Sequence, residues 1–195
     1  MDPCTRPALV TAPGELPLSV SEAKDHDSID FSFDDDQVEL YIEAATDYLD
    51  GYSGILGRCI VTQTWRTQYS GWGDTLRIPF PDVASVAVTY SDADASSQTV
   101  SSSLYEVLED SRGVYVRFKT AFTRPTLDDD TAVPVSVEFD TGFGDAGDVP
   151  GDIKQAIRML TAHYFENPSA VAGGGLGEVP LGFHAIVHKY RRIGF

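Results

Sequence analysis

The sequence predicts an α+β protein. Its helical core comprises two N-terminal helices and a third near residues 150–166, joined by an antiparallel β insertion and followed by a flexible C-terminal arm. Three observations carry that reading. Residues 149–168 (VPGDIKQAIRMLTAHYFENP) space Ile153, Ile157, Leu160 and Tyr164 by four, three and four, which draws one apolar stripe on an α-helix. Between residues 59 and 140 the apolar period is two instead, the signature of strands with one buried and one wet face. A glycine run at 170–177 (AVAGGGLG) then separates the third helix from a short apolar and basic tail.

Residues 1–18 contain Pro3, Pro7, Pro13 and Pro17 and read as an extended leader, mobile until it meets a partner. The helical part, 19–58, opens with Ser19 and Glu22 in a capping-box pattern and a short helix to about Asp25. An aspartate-rich loop follows, and Asp36 with Glu39 is suited to cap a long second helix. Val38, Ile42, Ala45, Leu49 and Tyr52 form its stripe, and Gly51 or Gly54 ends it. The β insertion, 59–145, holds strands at 59–66 (CIVTQTWR) and 76–79. Three further strands place Val86, Val88 and Tyr90, then Val114, Val116 and Phe118, then Val135, Val137 and Phe139 on one face each. The core helix occupies 146–168: Pro150 suits its first turn, Asp152 sits at the positive end of its dipole, and Asn167-Pro168 stops it. Residues 169–195 form the glycine hinge and arm. No internal repeat occurs.

With 195 residues, 42% hydrophobic and 11% aromatic, the chain can bury a sizeable core and is globular in composition. No apolar run reaches the length of a membrane span, and the N-terminus lacks the charged-then-apolar pattern of a signal peptide. Cys4 and Cys59 have no metal-type spacing and suit two unpaired thiols in a reducing cytoplasm. The net charge of −16 is uneven: residues 1–151 hold 27 acidic and 9 basic side chains, residues 152–195 hold 3 and 5. So acidic a body repels phosphate backbones, which argues against nucleic acid as a tightly bound ligand. Two causes fit this acidity: a wall along which DNA slides without sticking, or adaptation to salt.

Patterns that would carry chemistry are sparse. Asp34-Asp35-Asp36 and Asp128-Asp129-Asp130 are calcium-type triplets, and Asp92, Asp94 and Ser96 begin like a calcium loop. Ser97 and Ser103 stand where such a loop needs its glycine and its bidentate glutamate, so solvated charge and capping explain these acids better. His163 and Glu166 share a helix face at a metal-site spacing but lack a second pair, which makes His163 a half-buried packing or interface residue. His26, His184 and His188 have no partner suggesting a catalytic triad. Gly173–175 neither follows a strand nor leads into a phosphate-binding lysine. Trp65 and Trp72, with Tyr69 between them, fit a sugar platform or, better, the core and rim of the β part. The reading is a protein that is not an enzyme and needs no metal or cofactor.

Several segments resemble the tailed-phage head–tail connector (adaptor) family, which also serves gene transfer agents. Residues 149–168 are similar to its VP-x-x-I-K-Q-A-I…A-H-x-Y-E-N segment. LSVSEAK at 18–24, IVTQTW at 60–65, IPFPDVASVAVTY at 78–90, VEFDTGFG at 137–144 and VPLGFHAIVHKYR at 179–191 follow the family's order over most of residues 8–192. The chain departs in its acidic loops, in Phe183-His184 where Val-Glu is usual, and in His188-Lys189 where Ala-Pro is usual. The resemblance implies a virion neck protein, made in the host bacterial cytoplasm, whose copies form a ring, typically twelvefold, below the portal. That ring extends the DNA channel and docks a tail-side stopper or tail-terminator protein. The implied partners are therefore the chain itself, the portal protein and that tail protein, with DNA only as transiting cargo and no membrane.

Within this frame the tail beyond the hinge is expected to be the portal- or subunit-contact arm. Leu181, Phe183, Ile186, Val187 and Tyr190 supply apolar anchors, and Lys189, Arg191 and Arg192 supply charge opposite to the body. The rivals are a tail-completion or terminator protein of the same particle, a carbohydrate-binding β module, and a small secreted hydrolase, which would need a nucleophile and base the sequence lacks.

Overall fold

The switch of apolar period near residue 60, and the switch back near 143, mark the border between two structural units. The computed structural model describes residues 1, 5–25, 34–166 and 181–192. One unit comprises residues 1–13 and 62–142, the other residues 14–61 and 143–193.

The first unit is all β. Strands β1 (Ala8–Thr11), β2 (Gln63–Tyr69), β3 (Thr75–Arg77), β4 (Val83–Ser91), β5 (Ser97–Thr99), β6 (Tyr105–Asp110), β7 (Gly113–Phe118) and β8 (Val135–Thr141) form two antiparallel sheets. Their orders are β1-β2-β8-β4-β5 and β3-β7-β6. Strict alternation buries Val135, Val137, Phe139 and Thr141 along the central strand β8, and Val114 and Val116 along β7. Tyr105 ties the sheets together, its hydroxyl donating to the Val86 carbonyl at 2.7 Å. Residues 8–11, expected in a mobile leader, are instead the edge strand paired with β2, because Ala-Leu-Val-Thr offers that edge a run of β-compatible backbone donors and acceptors.

The second unit is helical: α1 (Val20–Lys24), α2 (Asp35–Leu49), α3 (Gly151–Glu166) and α4 (Leu181–Tyr190). The capping box forms as the sequence requires, with Glu22 N–H donating to Ser19 Oγ at 3.2 Å and Ser19 N–H donating to Glu22 Oε2 at 2.9 Å. Arg158 Nε donates to the Glu22 carbonyl at 3.2 Å, which links α1 to α3. α2 begins one residue before Asp36: Asp34 is the cap, accepting from Asp36 N–H at 3.2 Å. Val38, Ile42, Ala45 and Leu49 from α2 meet Ile153, Ile157 and Leu160 from α3, all at most 2% exposed, in one apolar cluster. Gly51 turns the chain out of α2 at φ 75°, the left-handed conformation that glycine tolerates best. Residues 59–61 are not part of a strand. Ile60 and Val61 enter the helical core, and the Ile60 N–H is held by Asp50 Oδ1 at 2.6 Å.

Candidate functional site

Residues 181–190, expected within the contact arm, form the helix α4. Phe183, Val187 and Tyr190 recur at four and three, with Ile186 beside them, so one side of the helix is apolar. Phe183 and Val187 are 2% and 4% exposed within their own chain's helical core, and Ile186 and Tyr190 pack against its margin. Phe183 and Val187 are therefore not solvated anchors awaiting a partner. Two large side chains gain more from a ready-made groove beside α3 than from water. Leu181 opens the helix, and its side chain lies outside the described residues. The expected hinge at 170–177 also lies outside them.

The basic residues divide in the same way. Lys189 Nζ lies 2.5 Å from Asp152 Oδ2 in the first turn of α3. The Tyr190 hydroxyl donates to the same oxygen at 3.4 Å. The Lys189 hydrogen bond holds the Asp152 carboxyl below the usual carboxylate range, and Asp152 in turn raises Lys189. Arg192 is half-buried; its N–H donates to the Leu56 carbonyl at 2.8 Å, and burial lowers its pKa. The Arg191 side chain is exposed. Ile153, Ile157 and Leu160 are core residues as expected, and Tyr164 is half-buried beside them.

What α4 presents to solvent is its other side, with His184, Ala185, His188 and Lys189 exposed. α2 also has an exposed side, which reasoning from its buried stripe passed over. Leu40 is 58% exposed and Tyr48 48%, among exposed Asp36, Glu43, Ala44 and Asp47. The signal was present in the sequence. Leu40, Ala44 and Tyr48 recur every four residues on the side away from Val38, Ile42 and Leu49.

The remaining candidates have structural roles. Asp92 Oδ1 accepts the N–H groups of Asp94 (3.1 Å) and Ser96 (3.0 Å), so the calcium-like start is a turn. Asp128 likewise accepts Asp130 N–H and the Thr131 hydroxyl. Among the described residues no cluster of three or more His, Cys, Asp or Glu could hold a metal. Trp72 lies in a loop, ringed edge-on by Tyr90, Phe118 and Phe122, with its indole N–H on the Pro125 carbonyl at 2.9 Å. Trp65 packs on Phe80 at 4.9 Å. No helix among the described residues is long and apolar enough to cross a membrane.

Residues 17–112 match the family model described as phage gp6-like head-tail connector protein. No curated protein matches the chain. Three solved structures share the fold almost end to end, each covering 98% of this chain and 97% of its own. A chain from the neck of an empty gene transfer agent (GTA) particle, computed with C6 symmetry, aligns with a TM-score of 0.76 at 24% identity. One from the virion of a native GTA particle gives 0.74 at 24%. One from the neck of a native GTA particle, computed with C12 symmetry, gives 0.71 at 25%. By its sequence over residues 17–112 the chain thus resembles the phage gp6-like head-tail connector proteins, and by its fold it resembles the neck chains of gene transfer agent particles.

Proposed function

We propose that the protein is a structural head–tail connector of a tailed phage or gene transfer agent: a virion neck subunit, without catalysis, whose copies form a ring below the portal. The single observation that carries this reading is the fold match over 98% of the chain to neck proteins of symmetric particles. It extends beyond the family match, which stops at residue 112, and includes α3 and α4. The acidic body is consistent with a channel through which DNA passes without being held. A ring of identical subunits needs two different complementary faces on each copy, since its contacts are heterologous. In this reading the portal and a tail-side stopper or terminator protein dock on the ring's two ends. With Phe183 and Val187 buried, Arg191 and the exposed side of α4 are the parts of the expected arm left to meet a partner.

Deleting the gene in the producing strain tests the role. Filled heads lacking tails, restored by the gene in trans, are expected. Normal tailed particles from the deletion strain would refute the role, as would particles whose necks lack the chain.

A further inference from the structure

The two exposed helix sides differ in charge without exception. α2, Asp35–Leu49, contains five acidic residues (Asp35, Asp36, Glu39, Glu43, Asp47) and no lysine or arginine. The exposed side of α4 holds His184, His188 and Lys189, the last paired with Asp152 of its own chain, and leads into exposed Arg191, with no acid among residues 181–192; Arg192 is half-buried and turned inward. α3 packs against both α2 and α4, and each of those two helices leaves its own flank exposed. At the centre of the α2 side lie Leu40, 58% exposed, and Ala44, an apolar strip rimmed by Glu43 and Asp47. At the centre of the α4 side lies Ala185, small and exposed, with His188 and Lys189 around it. Leu40 and Ala44, ringed by charge, give the α2 side an apolar centre of the kind that a protein contact desolvates.

From this we propose that copies of the chain join head to tail through these flanks, the outer side of α2 in one copy seating on the outer side of α4 in the next. The inference rests on the ring reading above and names the surface that builds it. Charge complementarity selects the occupant. The α2 side repels a second α2 side and attracts the basic end of α4, the one helix among the described residues with more cations than acids and a basic exposed side, so the contact is directional and does not close as a dimer. The strip supplies the desolvated centre, and the pairing of Glu43 and Asp47 with His188 and Arg191 sets the register.

Two sets of variants of the full chain test this. In a Cys4→Ser background, with Cys59 buried, Ala44→Cys and Ala185→Cys are introduced together and treated with a short bis-maleimide. A ladder of covalent multimers is expected, with no product from either single variant. Dimers from Ala44→Cys alone would overturn the proposal, because two α2 sides would then be meeting. So would the absence of any ladder. Glu43→Lys with Asp47→Lys should weaken self-association at least tenfold. Adding His188→Glu and Arg191→Glu to the same chain should restore it, a recovery that misfolding would not produce. Failure of the rescue overturns the pairing. These results are separable from the connector role. A chain found in particle necks that gives no ladder sinks only the interface, and a ladder from a chain that particles do without sinks only the role.

Discussion

Phe183→Ala decides whether α4 belongs to the body of the subunit. The ring is 2% exposed in the cluster that contains Leu49, Ile157 and Leu160, and replacing it by a methyl group removes most of its buried surface and leaves a cavity. Such changes destabilise by about 3–5 kcal/mol, the upper part applying where the surroundings cannot collapse. In a chain of this size about 1 kcal/mol moves the midpoint by roughly 2–4 °C, so a fall of about 6–20 °C is expected. The assay uses the placement of the tryptophans. Trp65 and Trp72 both lie in the β unit, while the far-ultraviolet helix signal comes mainly from α2, α3 and α4. Thermal melts should show the helix transition falling in Phe183→Ala. Tryptophan fluorescence should follow only as far as the two units unfold together. His184→Ala, one residue away and exposed, should stay within about 0.5 kcal/mol of the parent. A Phe183→Ala chain whose helix signal melts with the parent would show that α4 adds nothing to the fold, and the independent arm would be the better description.

Leu49→Ala and Leu160→Ala should each cost about 2–5 kcal/mol in denaturant unfolding, since both leucines are at most 2% exposed in the α2–α3 contact. Gly54→Ala should destabilise or fail to fold, because a Cβ there would sit 2.1 Å from the Asp50 carbonyl oxygen; normal melting would refute the local geometry. Arg77 grips Asp110 with both guanidinium nitrogens at 2.6 Å, and this pairing, together with the Arg112 N–H and charge, takes the Asp110 carboxyl from 3.8 down to about 2. A depressed carboxylate stabilises above its unfolded pKa and loses that contribution as pH falls through the folded value. The melting temperature of Arg77→Ala should therefore lie below the parent's above about pH 4 and converge with it toward pH 2. An unchanging gap between the two curves would refute the assignment. Calcium at fixed ionic strength should leave the melting temperature unchanged, because the Asp92 and Asp128 oxygens already accept turn hydrogen bonds; a saturable rise would revive a loop site.

The parts of the fold that were legible in the sequence are those fixed by local pattern. The stripes of α2 and α3, the Ser19–Glu22 capping box and the alternation in β7 and β8 lie where periodicity puts them, because each segment's own spacing decides which side is buried. β1 was hidden because a strand of exposed residues has no alternation to read; only the partner edge in β2 makes Ala8–Thr11 a strand. β6 was missed for a related reason, since the exposed run Val107–Asp110 belongs to the outer strand of its sheet. Residues 59–61 read as the start of a strand, yet Asp50 captures the Ile60 N–H and turns those side chains into the helical core.

The tail shows the limit of such reasoning most clearly. Apolar anchors beside a cluster of cations describe a contact arm and an amphipathic core helix equally well, and composition does not separate them. What separates them is a buried cluster assembled from residues far away in sequence, Leu56, Ile157 and Leu160 among them, with Phe143 packed against it. Once Phe183 and Val187 join it, the electrostatics of the tail change as well. Lys189 is drawn to Asp152 at the start of α3, where the helix dipole already favours the carboxylate. Burial of Phe183 and Val187 leaves His184 and His188 on the exposed side of α4. Of the cations the sequence places in this segment, Lys189 and Arg191 reach the surface and Arg192 is half-buried. A fixed side recognises a neighbour at a smaller entropic cost than a segment that must order on binding. In the ring proposed above, a basic flank on one copy meeting an acidic flank on the next would make each contact directional, as closure with every copy in the same orientation requires.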